Sequence, residues 1–279
     1  MKTLFSEFYV LLLFAILIPI ATSAQEYEGR AYYSKKSTLQ LGSFGATMSE
    51  AQKKQIQERL KNRLEKTFVL AFNEEESIYK EEEKIDAISG ATDSWGKNFS
   101  PGDLYKNIKT NELVQDQEFY GKQFVVKDSL LQIKWIMSAE SKQIGNYMCF
   151  KATSSVPTSD LEWYNFSWDQ IRNNNSSEES QEEEQEEEVG LTDIVAWFTP
   201  QIPVSQGPGE FWGLPGLILE VTVGNTFMLS SKIIMNPPEK TKIEAPNKGK
   251  ELAKMEYKEI ITGKMKEMRD NRGRSRGRR

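Results

Sequence analysis

Histidine is absent from all 279 residues. Its absence removes Ser-His-Asp and Cys-His catalysis, histidine metal sites and a histidine pH switch together. Cysteine is nearly absent. Cys149 stands alone, so no intrachain disulfide forms, and a structural zinc site would need ligands that are almost all carboxylates. Cys149 sits between Met148 and Phe150 in an apolar segment. That setting reads as a buried strand residue acting as a small hydrophobe; an exposed nucleophile would lack a partner there. The chemistry that survives is carboxylate-only, either calcium binding or a glycosidase-like acid pair. The acidic residues Glu74 to Glu76 and Glu81 to Glu83 lack the glycine and spaced oxygens of a calcium loop, so they read as a solvated rim. No motif calls for a cofactor or a metal.

Long apolar runs are scarce. The run from Tyr9 to Ile20 is broken only by Pro19 and is too short for a permanent membrane span. With Lys2 before it and Thr22-Ser23-Ala24 after it, residues 1–24 read as a signal peptide cleaved after Ala24. No cysteine follows the cut, so no lipid anchor is expected. The mature chain is expected to be periplasmic or extracellular.

The formal net charge of −5 is unevenly spread. It comes largely from the run Glu178 to Glu188 and is partly offset by a basic C-terminus. The region between is mixed, which gives no argument for a nucleic-acid partner.

The rest has the pattern of a single β-rich domain, 25–250. Tyr27 to Thr38 reads as a first strand. Ser49 then opens a helix over 49–66 with Gln52 in a capping-box position, and Ile56, Leu60 and Leu64 form its apolar stripe. Thr67 to Asn73 returns to strand character, with Ser77-Ile78-Tyr79 as an extension across a bulge. Gly90 to Gly102 is turn-rich and reads as a surface loop. Short strands follow at Leu104 to Lys109, Leu113 to Phe119, Gln123 to Val126 and Leu130 to Met137, with Lys127-Asp128-Ser129 as a tight turn. In the last of these, Leu131, Ile133, Trp135 and Met137 alternate with Gln132 and Lys134, the pattern of a half-buried strand. Ser141 to Gly145 reads as a turn, and Tyr147 to Thr153 as the next strand. Turns this short require antiparallel neighbours.

Trp163, Tyr164, Phe166 and Trp168 cluster in an irregular stretch that suits core packing better than sugar stacking. Residues 173–189 are low in complexity and read as a disordered acidic insertion. Leu191 to Phe198 is a strand. Residues 251–269 read as a C-terminal helix interrupted in propensity by Gly263, and 270–279 as a disordered basic tail.

The most specific stretch is Gly213-Leu214-Pro215-Gly216-Leu217-Ile218. Leu214-Pro215-Gly216-Leu217 has the composition of a type II turn, with proline presetting φ and glycine taking a positive φ. The β-prone segment Leu217 to Val223 follows, and Gly224-Asn225 signals a hairpin into Thr226 to Met235. Pairing Val223 with Thr226 would put Leu217, Leu219 and Val221 on one face and Ile218, Glu220 and Thr222 on the other. Both faces would be apolar, so the sheet is either covered on both sides or left open for a ligand.

This hexapeptide resembles the signature of the GLPGLI family of secreted Bacteroidota proteins. Trp197, Pro203, Gly207 and Pro208 resemble the family's approach to it. Ile144 to Ala152 resembles its central strand, with Asn146 where a second glycine is usual, and Lys264 to Met268 resembles its closing helix. The resemblance implies export and an association with outer-membrane systems, but no activity. The expected architecture is α+β: a curved, mainly antiparallel meander partly wrapped around helix 49–66, with a C-terminal helix, similar to the lipoprotein-carrier half-barrel. A binding or carrier module for an apolar or polypeptide ligand heads the functional readings. A structural or assembly partner of an outer-membrane protein is the alternative, with Trp212 and Leu214 exposed. A carboxylate-only enzyme would draw on Glu210, Glu220 and Asp193. No catalytic residue is assigned.

Overall fold

The computed structural model describes residues 27–38, 48–82, 101–161 and 190–276. Its elements run β1 (Gly29–Ser37), α1 (Glu50–Leu64), β2 (Glu65–Phe72), β3 (Glu76–Glu81), β4 (Pro101–Asn107), β5 (Glu112–Phe119), β6 (Lys122–Asp128), β7 (Ile136–Ile144) and β8 (Tyr147–Pro157). Then come α2 (Thr158–Leu161), β9 (Leu191–Thr199), β10 (Leu217–Val223), β11 (Thr226–Met235), β12 (Lys250–Ala253) and α3 (Lys254–Arg276). The signal segment 1–24, most of the Gly90 to Gly102 loop, the aromatic cluster from Trp163 to Trp168, the insertion 173–189 and residues 277–279 lie outside the described residues. Among the described residues no helix is long and apolar enough to cross a membrane.

The twelve strands of the described residues make one open sheet in the order β12-β6-β5-β4-β3-β2-β1-β11-β10-β9-β8-β7. Every adjacent pair is antiparallel except β12 with β6. Two runs of hairpin-linked strands are joined through β1, which pairs with β2 on one side and β11 on the other. Ala31 and Tyr33 of β1 are fully buried, and Tyr33 donates its hydroxyl to the Ile218 carbonyl at 2.6 Å. The expected curved, mostly antiparallel sheet with a C-terminal helix is therefore present. Its curvature lets the loop between β9 and β10 reach β3 and β4, which lie beyond β11, β1 and β2 in the strand order.

Helix α1 carries the expected capping box, with Ser49 and Gln52 exchanging side-chain and backbone hydrogen bonds. It packs on β1 and β2, with Ile56, Leu60 and Leu64 half-buried and no described residue fully buried.

Four expectations need correction. Leu130 to Trp135 is not a strand. It is an extended crossover that carries the chain from β6, near one edge of the sheet, to β7 at the other. Its alternation is real, since Leu131, Ile133 and Trp135 are half-buried while Gln132 and Lys134 are exposed. Here period-two burial comes from lying across a core, which packing against neighbouring strands would mimic. Lys127-Asp128-Ser129 is accordingly no hairpin turn, and Ser141 to Ile144 belong to β7 rather than to a turn.

Second, Thr67 to Tyr79 is not one bulged strand. Asn73 accepts backbone N–H groups from Glu75 and Glu76 and reverses the chain, so β2 and β3 pair antiparallel.

Third, the C-terminal helix does not begin at 251. Residues 250–253 pair in parallel with β6, burying Leu252. The helix starts at Lys254, is not interrupted at Gly263, and continues through 270–276 of the expected tail, where no proline stops it.

Fourth, the face assignment of β10 shifts. The ladder with β9 skips a register between Ile218 and Glu220, a bulge at Leu219. Leu217 and Leu219 join one core cluster while Ile218 and Val221 join another. The hairpin register itself is as expected, with Val223 opposite Thr226 and Val221 opposite Met228. Leu217 to Val221 are all buried, so this part of the sheet is covered on both sides.

Candidate functional site

The loop from Pro200 to Gly216 fills the hollow of the curved sheet. Ile202 and Val204 enter the cluster shared by β1, β2 and β10, while Phe211 and Leu214 enter that of β8 and β9. Gln206 is fully buried and accepts from Ser77 at 2.7 Å. The crossover clasps the same loop. Trp135 donates Nε1–H to the Trp212 carbonyl, and Trp212 donates Nε1–H to the Leu131 carbonyl, each at 2.8 Å. A space that composition left open as a ligand cavity is thus occupied by the chain itself.

The expected signature residues have structural work within that filling. Leu214, Gly216, Leu217 and Ile218 are buried, while Gly213 and Pro215 are exposed. The turn is not type II. Gly216 is not at positive φ; its N–H donates to the Leu214 carbonyl at 2.8 Å, a three-residue turn around Pro215. The positive φ falls on Gly213, at 91°. Gly216 is needed for close approach, because a Cβ there would stand 2.2 Å from the Thr199 carbonyl oxygen. Gly207 is similar, with Ile218 and the Phe211 carbonyl within 2.9 Å of a Cβ. Pro208 is buried, Pro203 exposed and Trp197 half-buried against the central cluster. Trp212 is half-buried and Leu214 fully buried, so Leu214 is no docking contact.

Three buried charges anchor the loop and its neighbours. Lys106 of β4 is fully buried and donates to the Gly207 and Phe211 carbonyls at 2.7 and 3.0 Å. Burial pushes its pKa down to about 7, against the opposing pull of Glu210. Glu210 in turn pairs with Lys254 at the first residue of α3, at 3.1 Å. Glu220 pairs with Lys142 through both oxygens, at 2.7 and 2.8 Å, and the same ammonium lies 4.2 Å from the Trp197 ring centroid.

These partners decide the carboxylate reading. Glu210 is tied to α3, Glu220 to β7, and Asp193 is exposed at the start of β9. The three do not converge on a common space. Cys149 is buried, with its thiol pushed up to about 11 by burial. Among the described residues no group of three or more acidic or cysteine side chains could hold a metal ion.

Open concavities lie elsewhere among the described residues. A groove of about 620 Å³ runs between the β5–β6 hairpin and the middle of α3. Phe119, Phe124, Ile260, Ile261 and Met268 give it an apolar lining. The hairpin closes through Tyr120 and Gly121, at φ 48° and 76°. Two positive φ values suit the twist of a two-residue hairpin, but the first falls on an aromatic residue, which stores strain at the groove mouth. A smaller hollow of about 160 Å³ near Glu28, Asn73, Glu76 and Lys240 is more polar. Composition could not have shown the larger groove, since its walls are far apart in sequence and each apolar residue reads as core.

Residues 135–220 match a family described as a protein of unknown function, Porph_ging. The matched stretch opens on Trp135 of the clasp and closes on Glu220 of the ion pair, so it takes in the filling loop and leaves out the groove. No curated protein matches the chain. Among solved structures, PNGF-II in its C2 crystal form is similar at a TM-score of 0.48 and 13% identity, over 84% of this chain. Its P21 form is similar at 0.48 and 14% identity, again over 84%. This chain spans about a third of PNGF-II, 32% and 33% of the two solved chains.

Proposed function

We propose that this protein is an exported binding module of the GLPGLI type that takes an apolar ligand in the groove between the β5–β6 hairpin and α3. The groove carries this reading. Its volume of about 620 Å³ falls within the roughly 300–1,000 Å³ of small-molecule sites, and its lining is largely apolar and aromatic. The strained Tyr120 at its mouth supports a role beyond packing, because strain of this kind collects at ligand clamps. Export follows from the signal-like segment 1–24, with cleavage after Ala24 and a periplasmic or extracellular location. An outer-membrane system is the partner that such a location favours.

The test is binding of a neutral apolar fluorophore, N-phenyl-1-naphthylamine, to the purified protein. Saturable binding at one site is expected, and Ile260→Trp, which fills the half-buried groove wall, is expected to abolish it. Binding that Ile260→Trp leaves unchanged would place the probe elsewhere and remove this reading.

One observation favours the assembly reading. The edge strand β7 leaves Ile136 and Met137 exposed at 70% and 62%, and Met148 and Phe150 of β8 are exposed farther along the same hairpin, opposite Gln143 and Ser141. A free strand edge with apolar side chains is the surface an added strand would extend. Loss of partner capture from a periplasmic extract on changing Met137 and Phe150 to lysine would support it, whereas unchanged capture would exclude this edge.

A further inference from the structure

Resting on the groove assignment above, we infer that the ligand is an anionic single-chain amphiphile, a fatty-acid-like carboxylate whose chain lies in the groove and whose head meets a rim of lysines. The three charged side chains lining the groove are Lys122, Lys250 and Lys264. They come from β6, β12 and α3, and all three are exposed to solvent. No carboxylate lines the groove among the described residues.

The lysines are available to a ligand. Lys264 is 48% exposed and pairs with Glu267, itself 66% exposed, at 2.9 Å, the kind of surface pair that contributes little and exchanges readily. Lys250 is 64% exposed and stands 3.9 Å from Glu256, at the limit of an ion pair. Lys122 is exposed at the hairpin, with no ion pair to any described residue.

The apolar lining specifies the other half of the ligand. Phe119 and Tyr120 stack edge to face at 4.8 Å, and Phe124 meets Tyr257 in the same way at 5.4 Å. Phe119, Tyr120 and Phe124 form the hairpin wall, and Ile260, Ile261 and Met268 of α3 the facing one, with Tyr257 buried behind it. Apolar side chains along the walls favour an alkyl chain over a peptide, whose amides need polar partners. Anionic charge at one end and alkyl surface along the rest is the complement of what the groove offers.

The experiment compares laurate with 1-dodecanol, by calorimetry or by displacement of N-phenyl-1-naphthylamine from the purified protein. Laurate is expected to bind about tenfold tighter than the alcohol, and Lys122→Gln with Lys264→Gln to remove most of that preference while leaving the alcohol unchanged. Both substitutions lie at exposed positions, so folding is retained. Equal affinity for laurate and dodecanol would overturn the anionic assignment while leaving an apolar groove intact. Failure of every alkyl ligand and of the fluorophore would remove the groove reading itself. Binding to phosphatidylglycerol vesicles without saturable binding of monomeric laurate would assign the lysines to a membrane surface and overturn the inference.

Discussion

Replacing Lys106 by methionine should flatten the pH dependence of stability between pH 7 and 9. The side chain is fully buried, and burial pushes its pKa down to about 7 in the folded protein. In the unfolded chain it returns to about 10.4. Between those values the unfolded state binds one proton that the folded state releases, so stability rises with pH, by at most about 1.4 kcal/mol per pH unit. From pH 7 to 9 the gain is roughly 2 kcal/mol, and it nears completion only as pH approaches the unfolded value. Below pH 7 the full cost of burying the charge is present. The window must close near pH 9, because Cys149 and several tyrosines act in the opposite sense above it. Burial raises the thiol to about 11 and Tyr257 to about 12, so the unfolded state loses those protons first. Lys35 shifts in the same direction as Lys106, which is why the variant rather than the wild-type slope is decisive. At any single pH, Lys106→Met is a difference of two opposed effects. It removes a buried charge but leaves the Gly207 and Phe211 carbonyls without their donor, each at about 1–3 kcal/mol. The slope is free of that ambiguity. Urea unfolding followed by tryptophan fluorescence at pH 7, 8 and 9 provides the measurement. A variant that keeps the wild-type slope, or a wild type flat across the window, would refute the assignment of Lys106.

Three further outcomes are expected. Gly216→Ala should cost more than about 3 kcal/mol or prevent folding, since its Cβ would meet the Thr199 backbone at 2.2 Å; a loss below 1 kcal/mol in urea unfolding would mean the turn relaxes freely. Gly263→Ala should gain about 0.5–1 kcal/mol, because the site is helical, exposed and open around a new Cβ, and a loss in the same assay would show that α3 needs the glycine. Tyr120→Asn should raise stability by roughly 1 kcal/mol by easing the left-handed residue, yet weaken fluorophore binding several-fold; unchanged affinity would separate the strain from the groove.

The sheet was largely legible because its strands are short, alternating and joined by turns with glycine or asparagine at fixed places. The Gly224-Asn225 hairpin and its register could be read directly. The Ser49–Gln52 cap was equally plain. What misled was period two without a ladder. Leu131, Ile133 and Trp135 alternate as a strand does, but they obtain their burial from a core that the crossover bridges. No local pattern separates those cases, because side-chain alternation follows from an extended backbone whether or not it is hydrogen-bonded to a neighbour. The bulge at Leu219 was hidden for a related reason: five successive apolar or long side chains, all buried, leave the face of each undetermined.

The candidate site divides more sharply. The hexapeptide is the most specific feature of the sequence, yet it carries no chemistry, and the two properties have one cause. A glycine whose missing Cβ would strike backbone at 2.2 Å admits no other residue, so scaffolding of this kind writes an exacting pattern. A groove wall asks only for apolar bulk of suitable size, and Phe119, Ile260 and Met268 satisfy that without forming any pattern at all. Binding surfaces made of such residues become visible only when the fold brings their segments together. In this chain residues 250–253 pair with β6 and set α3 against the hairpin. The parallel pairing at Leu252 is therefore the contact that frames the groove. A stiff motif in the centre and a permissive site at the edge follow from the same sheet, one by demanding contact and the other by leaving it open.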